Sequence, residues 1–279
     1  MVKGKSVKSI ILEVLRVICC VFFALLILVP ICWVLFSSFR PNKEFLQAAP
    51  SLMPKTWTFG HYIELFGRLN VLRYVWNSVV YAAIRTVGNV IFCSMAGYAF
   101  GRIRFKGRDV LFTICLATMM IPFQIILVPT YLVIHLLGWL DTYKGLIVPG
   151  LAGAFGVFMI RGFFAKLPKD LEEAARIDGL NEYGIFLKIM LPLCAPIIIT
   201  LTIFNFNGCW NDLLWPLLVT STNEMRTLTI GLVSFVGMNT TNYGPAMAGA
   251  VIAMIPMFLM YIFGQKYFVE SIATTGIKG

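Results

Sequence analysis

Hydrophobic residues run almost without interruption through six segments of this chain, and polar residues collect between them. The first segment, VICCVFFALLILVPICWVLF at 17–36, carries no charged residue. The other segments centre on about 77–100, 110–133, 145–165, 187–218 and 246–266. A helix needs about 20 apolar residues to cross a bilayer, because backbone polar groups cannot be left unpaired in lipid. The pattern therefore predicts an all-α membrane protein with six transmembrane helices.

The composition agrees with a chain embedded in lipid. Hydrophobic residues make up 59% of the 279 positions and charged residues only 13%, against about 25% in a typical soluble domain. A water-soluble fold could not cover so much apolar surface, so we expect a single transmembrane domain over residues 1–279. The seven cysteines fall in apolar segments, without the spacing of a zinc site or a disulfide framework. No metal site is therefore expected.

Basic residues determine the predicted orientation, because the cytoplasmic loops of membrane proteins collect Lys and Arg. With a cytoplasmic N terminus of about residues 1–15, fifteen Lys and Arg residues fall in inner segments and seven in outer ones. Lys3, Lys5 and Lys8 precede the first apolar segment, as in a signal peptide. That segment is longer than the about 7–15 residues of a signal-peptide core, and no small-residue cleavage site follows it. We therefore expect a retained helix and both termini in the cytoplasm.

A net charge of +10 is also common in proteins that bind nucleic acids. Here the basic residues lie in short clusters beside apolar segments rather than along one face. This arrangement is typical of membrane proteins, whose cytoplasmic loops collect Lys and Arg. The sequence therefore predicts a lipid membrane, and no nucleic acid, as the partner of these charges.

The densest cluster of charge lies at about 166–192, between the fourth and fifth apolar segments. Asp170 followed by Glu173 is similar to a capping box at a helix start. Gly179 suits the left-handed position that ends a helix, and Asn181 can cap a second helix. The stretch therefore predicts two short helices, joined by a turn, at the inner membrane surface.

The first of these helices has a face of small residues. Helical spacing brings four positions together: Leu171, Ala174, Ala175 and Asp178. Two alanines allow another surface to approach closely, while Glu172, Glu173 and Arg176 place charge around the rim. The alternative is an amphipathic linker resting on lipid headgroups, but such helices usually have a basic polar face and bulky apolar residues opposite. The composition favours a docking site for another protein.

Eight residues of this stretch have a characteristic order and spacing: Glu173, Ala174, Ala175, Asp178, Gly179, Ile189, Leu191 and Pro192. They closely resemble the EAA motif of permease subunits of ATP-binding-cassette (ABC) importers. In that family the motif forms a cytoplasmic coupling helix that docks into a cleft of the ATPase subunit. The resemblance implies that role for six residues here: Glu172, Glu173, Ala174, Ala175, Asp178 and Gly179.

Further segments look like the carbohydrate-uptake, MalG-like branch of this family: 77–84, 96–109, 120–149, 210–218 and 264–279. The resemblance implies the type I ABC importer permease fold in a prokaryotic cytoplasmic membrane, crossed several times. It also implies three partners, namely a second homologous permease subunit, a dimer of ABC ATPase subunits, and an extracellular or periplasmic solute-binding protein.

Motifs for binding ATP or for catalysis are missing from the sequence. There is no G-x-x-x-x-G-K-[ST] phosphate loop, no H-E-x-x-H and no G-x-S-x-G, and the only histidines are His61 and His135. We therefore expect no cofactor in this chain, no catalytic residues and no enzymatic activity. ATP and Mg²⁺ would be bound by the partner ATPase.

Two ionisable residues fall inside apolar segments, where charge is costly and usually has a partner. Arg85 lies in the second segment, and Asp212 lies in the outer part of the fifth. We expect them to form an ion pair that holds these two spans together. The alternative is an arginine satisfied by backbone carbonyls or by another subunit.

A sugar path needs hydrogen-bonding side chains and aromatic faces. The candidates within the apolar segments are Gln124, Asn205, Asn207, Trp210 and Asn211. The alternative is that these side chains join helices or lie at the membrane interface. The predicted function is thus a sugar-importer permease subunit. An ABC permease for a polyol phosphate or an amino acid, or a passive channel or scaffold, stays open as an alternative.

Overall fold

The computed structural model describes residues 7–45, 51–238 and 243–276. Within these ranges every regular element is a helix, which confirms the predicted all-α class. Lys3 and Lys5, which entered the orientation argument, lie outside the described residues, and so do residues 277–279 of the C-terminal segment.

The first seven helices are α1 (Val7–Ser37), α2 (Asn42–Phe45), α3 (Gly60–Arg68), α4 (Val71–Arg102), α5 (Arg108–Thr118), α6 (Phe123–Leu136) and α7 (Tyr143–Ile147). The others are α8 (Ala154–Phe164), α9 (Asp170–Ile177), α10 (Glu182–Ile185), α11 (Leu191–Leu193), α12 (Ala195–Trp210), α13 (Leu214–Val219), α14 (Leu228–Met238) and α15 (Tyr243–Gly276). A 3₁₀ turn, Val148–Gly150, follows α7, and a π-helical turn, Phe186–Met190, separates α10 from α11.

Three helices of the described residues are long and apolar enough to cross a bilayer alone: Ile11–Ser37, Val71–Arg102 and Tyr243–Gln265. Three further candidates are bent pairs of helices: Arg108–Thr118 with Phe123–Leu136 (99°), Tyr143–Gly150 with Ala154–Phe164 (41°), and Glu182–Leu193 with Ala195–Trp210 (77°). The described part of the chain thus has three candidate spans, or up to six if each bent pair is one span.

The breaks inside these pairs were not predicted, and each has a local cause. Pro122 comes immediately before α6 and disfavours helical geometry in the residue that precedes it. Gly150 and Gly153 flank the second break, where two glycines within four residues weaken the helix. Pro196 lies in the first turn of α12, just after the third break. A count of apolar residues does not report such interruptions.

By its internal contacts the chain divides into two compact units, Met1–Leu69 with Leu232–Met254, and Asn70–Gly231 with Ile255–Gly279. In the first unit the Arg40 side chain is fully buried, and its guanidinium carbon lies 4.8 Å from the ring centre of Trp33. All of the predicted site residues belong to the second unit. The single permease domain over residues 1–279 stays a prediction.

The core of the second unit forms where α4 packs against α8 and α12. Gly97 allows α4 to approach α8 closely, since a Cβ at this position would lie 2.8 Å from Ile160 Cγ2. Gly156 does the same from α8, where a Cβ would lie 2.7 Å from Cys93 Sγ. Small residues permit this backbone approach between membrane helices. The buried cluster continues to Ala175, so the predicted coupling loop packs against these helices.

Candidate functional site

The predicted coupling loop forms two helices, and the first one ends as the sequence predicts. After α9, Gly179 has a φ of +84°, in the left-handed region. The Gly179 amide donates to Arg176 O at 3.0 Å, and the Leu180 amide donates to Ala175 O at 3.0 Å. This pair of bonds is the Schellman arrangement, which satisfies the last carbonyls of a helix.

The start of α9 differs from the prediction. The N-cap residue is Lys169, it already has helical φ and ψ values of −71° and −28°, and no side chain caps the helix. The predicted capping box from Asp170 to Glu173 is therefore wrong. Both carboxylates lie in the first turn instead, where the helix dipole favours negative charge. The second helix begins as predicted, because Asn181 Oδ1 accepts a hydrogen bond from the Gly184 amide at 2.8 Å.

The two faces of α9 also differ from the predicted arrangement. The sequence grouped Ala174 with Ala175 on one open face, but Ala175 is 4% exposed and belongs to the core cluster. Glu172, predicted at the charged rim, is only 6% exposed. The reason is that one side of α9 lies against the rest of the unit, so that its inward residues are covered. The outward face of α9 comprises Leu171, Glu173, Ala174, Ile177 and Asp178.

Arg102, the last residue of α4, anchors the start of α9. Its Nε donates to Glu172 Oε1 at 2.6 Å, and both side chains are nearly buried. Its terminal nitrogens donate to the carbonyls of Phe164, Leu167 and Pro168 at 2.9 to 3.2 Å. A buried ion pair repays its desolvation only when the remaining donors are satisfied as well, and this guanidinium meets that condition. One side chain thus connects α4 to α9.

Glu182 holds the other end of α9. Its Oε1 accepts hydrogen bonds from Arg176 Nε at 3.0 Å and Nη2 at 2.9 Å, and its Oε2 accepts one from the Tyr98 hydroxyl at 3.1 Å. The hydrogen bond with Glu182 raises the pKa of Arg176 above its ordinary value, so this cation stays charged. Because Tyr98 lies on α4, both ends of α9 are tied to the same helix.

A cleft of about 670 Å³ opens between the end of α4 and α9. Its lining includes the residues of both anchors, Arg102 with Glu172 and Arg176 with Glu182. It also includes Arg104, Arg108, Lys169 and Glu173. Charges of both signs therefore line the side of α9 that faces the end of α4, and Glu173 carries this charge to the outward face. This environment suits contact with the polar surface of another protein better than contact with lipid tails.

The predicted ion-pair partners lie close together, with Nη1 of Arg85 3.7 Å from Oδ2 of Asp212. Tyr81, which the sequence analysis missed, lies between them. Its hydroxyl donates to Asp212 Oδ2 at 2.8 Å and accepts a hydrogen bond from Arg85 Nη1. Tyr81 and Arg85 are one turn apart on α4, while Asp212 follows α12. The three side chains therefore connect α4 to the end of α12.

The predicted substrate-path residues do not converge on one site. Asn205 Nδ2 donates to Asn89 Oδ1 at 2.8 Å, in the wall of a cavity of about 310 Å³. Asn207 and Asn211 are exposed, and Asn211 Nδ2 donates to Asn207 Oδ1 at 2.8 Å. Asn205 with Asn89, and Asn207 with Asn211, therefore form two separate pairs of side-chain amides.

The other two predicted path residues lie elsewhere again. Trp210 is buried and stacks on Phe206 with ring centres 6.0 Å apart. Gln124 is exposed in the first turn of α6. Of the five predicted residues, Asn205 is the one placed in the cavity wall.

Sequence reasoning missed Asn89, although the sequence did carry a signal for it, namely an amide within the apolar segment 77–100. Arg102 carried no such signal. It was counted only as one of several basic residues beside a span, because its partner Glu172 is 70 residues away.

A family model matches residues 93–274 of the chain, that of the binding-protein-dependent transport system inner membrane component. The matched region covers α9 with both of its anchors, together with Asn205 and Asp212. The chain belongs to this family, whose members are transport components rather than enzymes.

Several relatives of known name match over nearly the whole chain. The arabinooligosaccharides transport system permease protein AraQ of Halalkalibacterium halodurans is 37% identical over 262 residues, which is 92% of this chain and 94% of that protein. The AraQ protein of Bacillus subtilis is 36% identical and covers 96% of this chain and 97% of its own. The sn-glycerol-3-phosphate transport system permease protein UgpE of Brucella abortus is 34% identical and covers 88% and 90%.

A solved structure has the same fold. One chain of a crystal structure of a bacterial ABC transporter, involved in the import of the acidic polysaccharide alginate, is 26% identical to this chain. It superposes with a TM-score of 0.81 over 95% of this chain and 99% of that one. Together with the family match, this confirms the resemblance to ABC importer permeases that the sequence showed.

Proposed function

We propose that this chain is a permease subunit of an ABC importer, and that it forms half of the path of a sugar or oligosaccharide across the prokaryotic cytoplasmic membrane. The observation that carries the proposal is the anchored α9. Arg102 and Glu182 hold this helix at both ends, while Ala174 and Ile177 stay open to a partner. Membership of a transport family supports the same function.

The names of relatives support sugar as the cargo. Two proteins of 37% and 36% identity are named for arabinooligosaccharide transport. The relative of 34% identity named for sn-glycerol-3-phosphate transport favours a second candidate, a polyol phosphate. The two cargo classes differ in charge, so uptake of one compound of each class by the same membranes discriminates between them.

In the proposed mechanism the energy comes from a dimer of ABC ATPase subunits, which holds ATP and Mg²⁺ and docks on the outward face of α9. Glu173 and Asp178 place charge on that face, and Ala174 allows close approach. ATP binding favours one of two global states, and the Arg102–Glu172 contact transmits that preference from α9 to α4. The sugar is moved without any change in its bonds.

The proposed topology has six spans, with each bent pair of helices crossing the membrane once and both termini in the cytoplasm. The coupling loop at 166–192 then faces the cytoplasm, and the loops that carry Asp141 and Arg226 face outward. A second homologous permease subunit completes the path. An extracellular or periplasmic binding protein delivers the sugar, and the name of the family supports this last partner.

Within the spans, we assign two tasks to the polar residues. Arg85, Tyr81 and Asp212 keep α4 and α12 in register. The path itself remains assigned to the five residues that the sequence singled out, Gln124, Asn205, Asn207, Trp210 and Asn211. The position of Asn205 in a cavity wall supports its assignment.

Affinity purification of the tagged chain from its native membranes in a mild detergent, followed by mass spectrometry, tests this function. We expect an ABC ATPase and a second six-span permease in matching amounts. Ala174→Arg places a bulky cation on the outward face of α9 and is expected to lose the ATPase while keeping the second permease. Lys106→Glu, at an exposed position outside α9, is the matched control and should keep both.

Recovery of the chain without an ATPase, in detergent that preserves another importer from the same membranes, would contradict the proposal and favour a passive channel. Equal recovery of the ATPase with the wild-type chain and with Ala174→Arg would contradict the docking surface alone.

A further inference from the structure

The cavity beside Asn205 lies near the middle of α4. Its lining includes Arg85, Asn89, Phe123, Thr130, Asn205 and Trp215. At ~1.5 Å per residue, Asn89 is ~27 Å along α4 from Val71 and ~20 Å from Arg102. The volume of about 310 Å³ is near the lower end of the range of about 300–1,000 Å³ for small-molecule sites. It therefore suits a single ring rather than a long chain.

A break in the helical backbone forms one wall of this cavity. The end of the 3₁₀ turn Val148–Gly150 and the non-helical residues before α8 line it with backbone that is not α-helical. At membrane depth such backbone is tolerated only where it is buried in protein or lines a water-filled cavity. Here Asn89 Nδ2 donates to Gly150 O at 3.1 Å, and Cys93 Sγ donates weakly to Gly153 O at 3.4 Å. The break is therefore supported by side chains of α4.

Glycine at position 150 also determines where the charge lies. A Cβ at Gly150 would overlap the guanidinium of Arg85, so a larger residue here would displace this side chain from the broken backbone. Arg85 Nε is buried there without a hydrogen-bond partner among the described residues. A buried donor left unpaired is costly, and a ligand oxygen reaching the guanidinium would offset that cost.

The polar groups of the lining complement hydroxyl groups, which both donate and accept. Asn205 uses its Nδ2 on Asn89, so its Oδ1 remains an acceptor. The Thr130 hydroxyl donates to Ile126 O at 2.7 Å and keeps its own lone pairs free for a donor. Phe123 adds a partly exposed aromatic ring, and sugar rings present apolar C–H faces to such rings.

The charge in the lining favours a neutral ligand. Arg85 is the one ionisable residue of the lining, and Asp212 lies 3.7 Å from its Nη1. The cation is therefore already compensated. An acidic sugar would bring a second carboxylate into a site of low dielectric constant with no free cation to meet it, and burying an unpaired charge is costly.

We propose that this cavity is a binding subsite for one ring of a neutral saccharide, held by Asn205 Oδ1, the Arg85 guanidinium and the face of Phe123. The inference rests on the proposed function, because it names the substrate class and locates part of the path in this chain. Asn89 is a positioning residue, since it holds both Asn205 and the broken backbone in place.

The test uses the intact importer in proteoliposomes, with ATP inside and the binding protein outside. The probes are radiolabelled arabinotriose, which is neutral, and trigalacturonate, which is acidic. We expect Asn205→Ala to lower arabinotriose uptake at least tenfold while the purified importer keeps the wild-type subunit stoichiometry. Thr200→Val removes a hydroxyl from the same helix, one that donates to Pro196 O within that helix, and it should leave uptake unchanged.

A second pair of variants keeps the test decisive if Asn205→Ala fails to assemble. Phe123→Leu keeps the apolar volume and removes the ring, and Phe123→Tyr keeps the ring. We expect a several-fold loss of arabinotriose uptake in the first and near-normal uptake in the second. Each of three results would overturn the subsite. The first is equal arabinotriose uptake by Phe123→Leu and the wild type, and the second is normal arabinotriose uptake by an assembled Asn205→Ala variant. The third is a wild-type importer that takes up trigalacturonate but not arabinotriose.

Failure of the proposed function gives a different result from failure of the subsite. A wild-type chain that purifies without an ATPase and takes up neither probe refutes the importer itself. A wild-type importer that takes up arabinotriose while both lining variants transport normally refutes only the subsite.

Discussion

Arg102 and Glu172 form a buried ion pair, with Nε of Arg102 2.6 Å from Oε1 of Glu172. The two residues are 70 positions apart in the chain, and their contact joins the end of α4 to the first turn of α9. The same guanidinium also donates to the carbonyl of Phe164 at the end of α8 and to those of Leu167 and Pro168 in the loop before α9. A displacement of α9 by a partner must therefore move α4 as well, which is what coupling at this helix requires.

Breaking this pair from either side should destabilise the chain. Arg102→Ala leaves a buried carboxylate and three carbonyls without their donor, so we expect a loss of about 3–5 kcal/mol. The purified importer in detergent should then unfold at a lower temperature, as followed by intrinsic fluorescence. The control is Arg108→Ala, whose partner Asp109 is exposed, because an exposed pair contributes only about 0–1 kcal/mol. Equal shifts for the two variants would contradict the anchoring role of Arg102.

Gly179→Ala should loosen the end of α9 through the backbone alone. The φ of +84° is unfavourable for a residue with a Cβ, yet the added Cβ would meet no atom within 4 Å. We expect a cost of about 1–2 kcal/mol, measured as faster hydrogen exchange of the α9 amides. Gly162→Ala also adds a Cβ in open space, but at a helical φ in α8, and it should leave α9 unchanged. Unaltered exchange in Gly179→Ala would count against the Schellman end.

The predictions made from the sequence for α9 show which features local sequence rules can identify. Gly179 and Asn181 were placed correctly, because a left-handed turn and an N-cap depend on only a few neighbouring residues. The inward orientation of Glu172 could not be read in this way, since it follows from a partner 70 residues away. The same limit applied to Ala175, which the helical spacing put beside Ala174 but tertiary packing buried.

The spans show a second limit. Hydrophobic runs coincide with the candidate spans of the described residues, because the cost of unpaired backbone in lipid leaves few alternatives. The same runs concealed the bends, since Pro122 and Gly150 change the backbone without changing the apolar count. Arg85 and Asp212 could be paired from their depth in the spans, whereas Tyr81 between them resembled any other aromatic residue of a membrane helix.

The Arg85 network predicts an unequal outcome for single and double variants. Arg85→Leu leaves Asp212 without its cation, and Asp212→Leu does the same to Arg85, so each should lower the yield of monodisperse importer several-fold. Arg85→Leu with Asp212→Leu removes both charges and should recover part of that loss, because neither is left buried alone. Size-exclusion chromatography of the detergent extract gives the yield. Wild-type yields from both single variants would show that the pair does not hold α4 and α12 together.

Asp141 predicts a stability difference that depends on pH. Its carboxylate accepts hydrogen bonds from the Ser221 amide at 2.9 Å and from the Thr222 amide at 3.1 Å and hydroxyl at 2.7 Å. Desolvation opposes ionisation, but these bonds outweigh it and lower the pKa of Asp141. A lowered folded-state pKa stabilises the fold above the unfolded value of about 3.9, and the gain is lost as the pH falls through the folded-state value.

Asp141→Asn tests this dependence, because asparagine tolerates the φ of 58° at this position and removes only the charge. We expect the wild type to unfold at a higher temperature than the variant at pH 7, with the gap closing below about pH 4. All other acidic groups are common to both chains, so the difference isolates this carboxylate. A gap of constant size from pH 7 to pH 3 would be inconsistent with the lowered pKa.

Whether α9 couples an ATPase to the movement of a sugar can be measured by following ATP hydrolysis and arabinotriose uptake together in proteoliposomes of the intact importer. Glu173→Lys reverses a charge on the outward face of α9, and Lys106→Glu reverses one at an exposed position beyond it. We expect at least a tenfold loss of uptake per ATP hydrolysed in Glu173→Lys and a normal ratio in Lys106→Glu. A normal ratio in Glu173→Lys, or uptake that continues without ATP, would contradict this coupling.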